Sequence, residues 1–206
     1  MSTHSTDKGA GGSSLLAFLA GFAALQVVGW FLFPMVLYGT KTQPLNFSHK
    51  AHVENAGMSC EECHYFRDDG TYSGIPGIAK CKECHEAQVT ESPDEAKLVT
   101  EYIEKDKEVP WLSYARQPDC VYFSHAPHVK LAGFDCTTCH GNHGETDKLR
   151  PYEYNRLTKY SRDIWGKRIS GLAFLKKEQW ESMKMDDCGD CHKKKHVSNA
   201  CFVCHK

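Results

Sequence analysis

The feature that most constrains this chain is Cys-x-x-Cys-His, which occurs five times in 206 residues. The copies are Cys60/Cys63/His64, Cys81/Cys84/His85, Cys136/Cys139/His140, Cys188/Cys191/His192 and Cys201/Cys204/His205. Random placement at these Cys and His frequencies predicts roughly 0.03 copies. The spacing is that of c-type haem attachment. Each thiol adds to one vinyl group of the porphyrin, and the adjacent histidine reaches the iron from the same side. Structural zinc also uses Cys-x-x-Cys pairs, two per metal, but gives no role to a histidine after every pair. A disulfide framework leaves the same five histidines unexplained.

One longer device appears twice without gaps. Phe47 to His64 reads FSHKAHVENAGMSCEECH, and Phe123 to His140 reads FSHAPHVKLAGFDCTTCH, an offset of 76 residues with ten of eighteen positions identical. A repeat that keeps two leading histidines and the attachment motif builds the same kind of site twice. Besides the motif histidines, His49, His52, His125, His128, His143 and His196 remain as second iron ligands; His4 lies before the apolar stretch. That supply covers two histidines per iron for five haems, with one to spare. Each HxxH pair is expected to serve two different haems, drawing them together. Two-histidine ligation favours low potentials and leaves no open iron, which suits electron transfer better than substrate chemistry. No catalytic residue is expected.

Cys120 is the odd cysteine, and an unpaired thiol needs an account. Cys120-Val-Tyr-Phe-Ser124-His125 is like an attachment motif whose second Cys has become Ser. It would hold a sixth haem through one thioether, ligate an iron as a thiolate, or be an inert thiol.

Leu15 to Tyr38 runs 24 residues without a charge. A helix of that length spans about 36 Å, enough for a bilayer. Trp30, Phe31, Phe33 and Tyr38 cluster at its far end as interfacial aromatics do. The apolar run exceeds that of a cleaved leader, so an uncleaved anchor is expected, single-pass in a bacterial inner membrane. Haem is attached outside the cytoplasm, which sets the rest of the chain on the periplasmic side. The divisions are 1–14, a cytoplasmic N-terminus; 15–38, the anchor; 39–110, a first haem module with two motifs; and 111–206, a second with three motifs and an insert over 144–187. Within these, Ser92-Pro-Asp-Glu95 reads as a helix start, with Glu95 in the place of a capping-box acid. Leu172 to Met183 reads as a further helix. About 33 residues per haem are too few for an ordinary apolar core. The expected fold is therefore mainly α and irregular with few strands, a compact domain whose core is the haems.

Net charge is −1, which suits no nucleic-acid partner, but its distribution is uneven. Glu54 to Pro110 holds 14 acids and 6 bases; Trp111 to Lys206 holds 11 acids and 16 bases, including Lys193-Lys194-Lys195. The basic half is a candidate docking face for a charged redox partner.

Taken with Glu108-Val-Pro-Trp111 and Pro118-Asp-Cys-Val-Tyr-Phe123, the anchor and the twofold FSHxxH…CxxCH device resemble a known family. It is that of the membrane-anchored multihaem cytochrome c subunits of alternative complex III and of the menaquinone reductase complex of sulfate reducers. In alternative complex III a His stands where this chain has Cys120, which favours the sulfate-reducer branch and bears on local ligation. The resemblance implies partners: a polytopic quinone-binding membrane subunit, an iron–sulfur subunit and a molybdopterin-type subunit. It also implies a role in passing electrons between soluble periplasmic cytochromes c and the quinone site. The alternative is a stand-alone membrane-anchored multihaem quinol dehydrogenase. A haem enzyme acting on a nitrogen or sulfur oxyanion is disfavoured by the full supply of iron ligands.

Overall fold

A computed structural model describes residues 10–164 and 182–206. His4, and the helix expected over Leu172 to Met183 apart from its last two residues, lie outside the described residues. The fold is mainly short helices and irregular chain with one two-stranded sheet, as the composition of the chain predicts.

Helix α1, Ala10–Val27, runs through a π-turn at Val28–Leu32 into α2, Phe33–Leu37. The offset has a local cause. Pro34 has no N–H to continue the ladder, and just before it Phe33 N–H reaches back to Val28 O, five residues away. Gly12–Leu37 is long and apolar enough to cross a membrane, and the described residues bury none of its most apolar stretch. The helix ends where β1, Tyr38–Lys41, pairs antiparallel with β2, Tyr152–Asn155. Gly39 faces Tyr154 in this ladder, and a Cβ there would stand 2.9 Å from the tyrosine ring. Arg156 N–H closes the junction by donating to Leu37 O at 2.8 Å. The foot of the apolar helix is thereby fixed to residues from the insert.

Helix α3, Cys60–Cys63, carries the first attachment motif, and α4, Ile78–His85, the second. Helix α5, Pro93–Leu98, starts after Ser92 and continues as a π-turn over Val99–Ile103. Val99, Tyr102 and Ile103 pack with Leu45, Ile78 and Val109 into the one buried apolar cluster among the described residues. The Glu108-Val-Pro-Trp111 segment holds this cluster shut. Val109 is part of it, and Glu108 Oε2 accepts from Ile78 N–H at 2.8 Å, satisfying a free donor at the start of α4. Gln43 fixes the next residue with two amide bonds to Leu112, at 2.8 and 3.0 Å.

The second half is built differently. Helices α6, Cys136–His140, α7, Met185–Lys194, and α8, Cys201–Cys204, each carry one attachment motif. From residue 111 onward no described hydrophobic side chain is buried; the buried residues are Asn155, Ser161 and Asp163. Asp163 accepts from Arg150 at 2.8 Å and lies 3.9 Å from Lys184 Nζ. Arg150 stacks on Tyr114 at 4.3 Å, and the Tyr114 hydroxyl donates to Arg150 O. A polar knot, not an apolar core, ties residues 111–164 to the segment that leads into α7.

Ile103→Ala opens a cavity in this apolar cluster and is expected to destabilise the haem-loaded chain by about 2–5 kcal/mol. Urea unfolding in detergent, followed by far-UV circular dichroism, measures it.

Candidate functional site

The two FSHxxH segments fold alike, each turning from α-helix into a π-turn, and each shared residue has a task. His52 Nδ1–H donates to Ser48 O at 2.8 Å, and His128 Nδ1–H donates to Ser124 O at 2.8 Å. A carbonyl only accepts, so Nδ1 carries a proton and, in the neutral ring, the lone pair is on Nε2, the arrangement that orients metal-binding histidines. Phe47 stacks on His52 at 4.3 Å and meets His49 edge-on at 4.8 Å. Phe123 does the same with His128 at 5.0 Å and His125 at 4.9 Å. Both segments then turn through a glycine at positive φ, Gly57 at 69° and Gly133 at 66°, and lead into an attachment helix.

The histidines meet in pairs. Ring centroids are 6.1 Å apart for His52 and His85, 6.2 Å for His125 and His140, 6.2 Å for His128 and His192, and 5.9 Å for His49 and His143. An imidazole nitrogen bonds a metal at about 2 Å and the ring centre lies about 1 Å further, so two rings across one ion stand roughly 6 Å apart. Three of these pairs join a motif histidine to an HxxH histidine. The fourth joins two histidines from outside the motifs, brought together by a clamp: Asn46 bonds Asp147 O at 3.3 Å and Leu149 N–H at 3.0 Å, and Lys50 N–H donates to Thr146 O at 3.1 Å. His64, His196 and His205 touch no other histidine ring among the described residues. Nowhere among those residues do three or more His, Cys, Asp or Glu side chains converge on one point.

Burial, with His143 and His64 close by, pushes the His49 imidazole down to about 4. Burial, then His140 and Arg150, pushes His143 down to about 4 as well. These rings are neutral at neutral pH, the form that binds a metal. His49 Nδ1 is buried without a hydrogen-bond partner. A neutral ring with an unpaired buried nitrogen beside a second imidazole is chemically suited to hold a metal.

The thiols form a row, and all eleven are free of disulfides. Burial raises the Cys81 thiol and neighbouring Cys63 adds to the effect; Cys84 acts on Cys63 in turn. Cys60 lies against Cys136, raising it after burial and bonding to it. Cys139 neighbours Cys191, and Cys188 neighbours Cys139 and Cys204. The neighbouring thiols thus run from the second motif to the first, third, fourth and fifth, with Cys188 close to both the third and the fifth. Cys120 falls beside the last: Tyr122 N–H donates to Cys204 O at 2.7 Å and Lys206 N–H to Cys120 O at 2.9 Å. Its side chain is exposed.

The sequence shows the motif residues but not everything around them. Tyr72 stacks on His125 at 3.9 Å, joining segments far apart in the chain. Glu95 does not close a capping box; its carboxylate accepts from His85 Nδ1–H at 2.7 Å and from Val89 N–H and Thr90 N–H at 2.8 Å. Its distance from His85, ten residues along the chain, hides that contact from any helix-start pattern.

Residues 34–110 match the class III cytochrome c family. Over 205 residues the chain is 40% identical to the menaquinone reductase multiheme cytochrome c subunit of Nitratidesulfovibrio vulgaris, covering 92% of this chain and 89% of that one. The chain belongs to that family. The resemblance carried by FSHxxH…CxxCH and the two flanking segments is therefore real kinship, and membership implies several c-type haems. A second relative, the dissimilatory sulfite reductase MccA of Wolinella succinogenes, is 29% identical over 178 residues, 75% of this chain but 22% of that protein.

Proposed function

We propose that this chain is the electron-transfer subunit of a menaquinone-reducing complex, passing electrons between soluble periplasmic cytochromes c and the complex's quinone site. Two observations support this: the facing histidine pairs, which suit haem iron, and the 40% identity over 92% of the chain to a menaquinone reductase multiheme cytochrome c subunit. Haem supplies a one-electron carrier, its iron cycling between ferric and ferrous forms. Cys60 and Cys63, Cys81 and Cys84, Cys136 and Cys139, Cys188 and Cys191, and Cys201 and Cys204 hold five haems by thioethers. His64, His85, His140, His192 and His205 are their first iron ligands. His52 faces His85, His125 faces His140 and His128 faces His192 as second ligands. His49, close to His64 and paired with His143, supplies the second ligand at the first motif, and His196 is left for the last motif. Each HxxH thus serves two centres, and the row of thiols gives the route its order. Cys120, beside the fifth motif, is the attachment point for a sixth.

The apolar helix is the anchor, and the paired strands at its foot hold the haem domain against the periplasmic face of the inner membrane. The polytopic quinone-binding subunit, the iron–sulfur subunit and the molybdopterin-type subunit are the partners in the membrane complex. Lys193, Lys194 and Lys195 are exposed at the end of α7, a basic face suited to an acidic cytochrome.

In the isolated chain, reduced and mixed with a menaquinone analogue in stopped flow, haem oxidation should be slow, and rapid only after the native complex is restored. Rapid oxidation by the chain alone would establish a quinone site within it and make it a stand-alone quinol dehydrogenase. His128→Ala should leave haem content unchanged and turn one low-spin electron paramagnetic resonance signal high-spin. Cys120→Ser should lower the pyridine haemochrome count by one; an unchanged count leaves five haems. Reversing the three lysines to glutamate should slow reduction by an acidic cytochrome at low salt and flatten its salt dependence.

A further inference from the structure

Five described histidines have Nδ1 held by a hydrogen bond. For His52, His64, His128 and His192 the acceptor is a neutral backbone carbonyl, of Ser48, Gly74, Ser124 and Ser198. For His85 alone it is a carboxylate, Glu95 Oε1 at 2.7 Å. Glu95 is buried, 8% exposed, and both its oxygens are engaged. Oε1 also accepts from Val89 N–H at 2.8 Å; Oε2 accepts from Thr90 N–H at 2.8 Å and from the Thr90 hydroxyl. The loop 88–92 is wrapped around this one side chain, with Gln88 Nε2 bonding Thr90 O at 2.6 Å. That is more anchoring than a helix N-terminus needs. Ser92 N–H, the donor a capping acid would take, goes instead to Thr90 Oγ1 at 3.2 Å.

A negative acceptor on Nδ1–H pulls the ring toward imidazolate and makes Nε2 a stronger donor. A stronger axial donor stabilises ferric over ferrous iron and lowers the potential. We propose that Glu95 is a positioning residue that acts through His85 to make the centre at Cys81, Cys84, His85 and His52 the most reducing one in the chain. This rests on the ligand reading given above. Reduction there adds one electron to ferric iron and moves no proton, because the carboxylate is the acceptor in both states. The centre lies at one end of the row of thiols, where a lowest potential marks a terminus of the route rather than a barrier in its middle.

The test uses the full chain in its native complex, with Glu95→Gln and Thr90→Val compared in a redox titration followed optically and by electron paramagnetic resonance. Glu95→Gln keeps the shape and an oxygen acceptor but removes the charge. It should raise one midpoint, the lowest, by about tenfold in the ferric-to-ferrous equilibrium, about 59 mV for one electron, with haem content and the other midpoints unchanged. Thr90→Val loosens the same loop but keeps the charge, and should leave that midpoint in place. An unmoved lowest midpoint in Glu95→Gln at full haem content, or an equal rise in Thr90→Val, overturns the inference. His52→Ala should turn that same lowest-potential centre high-spin. If every centre stays low-spin in His52→Ala, the ligand reading beneath the inference falls instead.

Discussion

A histidine gives one nitrogen to a metal in a fixed direction only when its other nitrogen is held. In this chain the holder is nearest in sequence where it matters most. Ser48 O and Ser124 O, four residues before His52 and His128, take the Nδ1–H in each repeat. The phenylalanine one residue earlier packs against both rings of its pair. One turn of chain therefore fixes tautomer, direction and spacing without help from the rest of the fold. Such a local device can be copied, and its two copies turn their second histidines toward motif histidines farther along the chain, His85 and His192.

The rest of the structure follows from how little else is available to hold it. The first half closes a small apolar cluster around Ile78, Val99 and Ile103, which sets α4 and hence His85. The second half has no buried apolar side chain among the described residues and uses Asp163, Arg150 and Lys184 instead. A charged knot without a large core is a weak way to define a fold in water. It becomes reasonable when bulky apolar cofactors are to fill the space between α6, α7 and α8.

Much of this was legible in the sequence because the chemistry is local. Five motifs, the repeat, the apolar helix and the scarcity of strands all depend on residues a few positions apart. What was not legible depends on chain meeting chain. His49 faces His143 because Asn46 and Lys50 clip residues 146–149 to the first repeat, a contact across about a hundred residues. Thr40 and Lys41 pair with Glu153 and Tyr152, a contact across the sequence that no local pattern shows. Glu95 satisfies every sequence rule for a helix start, and α5 does begin after Ser92, yet its carboxylate is spent on His85. The pattern found the helix and missed the function of its acid, since periodicity reports which residues share a face and not what a side chain reaches beyond it.

The differences among the Nδ1 acceptors carry a further consequence for electron flow. Axial ligands of one type give centres of similar potential, and a row of equal centres conducts in either direction. Direction then has to come from the environment of each ligand. Here four imidazoles rest on carbonyls and one on a buried carboxylate, so the row is chemically graded although its motifs are identical. The grading is placed at an end: Cys81 and Cys84 neighbour the cysteines of the first motif, while the first, third and fourth motifs each have neighbours on both sides. The other end is marked by different features, the exposed Cys120 and the basic turn of α7. On the proposed reading, unlike ends would give the row a sense of which end meets which partner, and that asymmetry would be set by a few residues outside the attachment motifs.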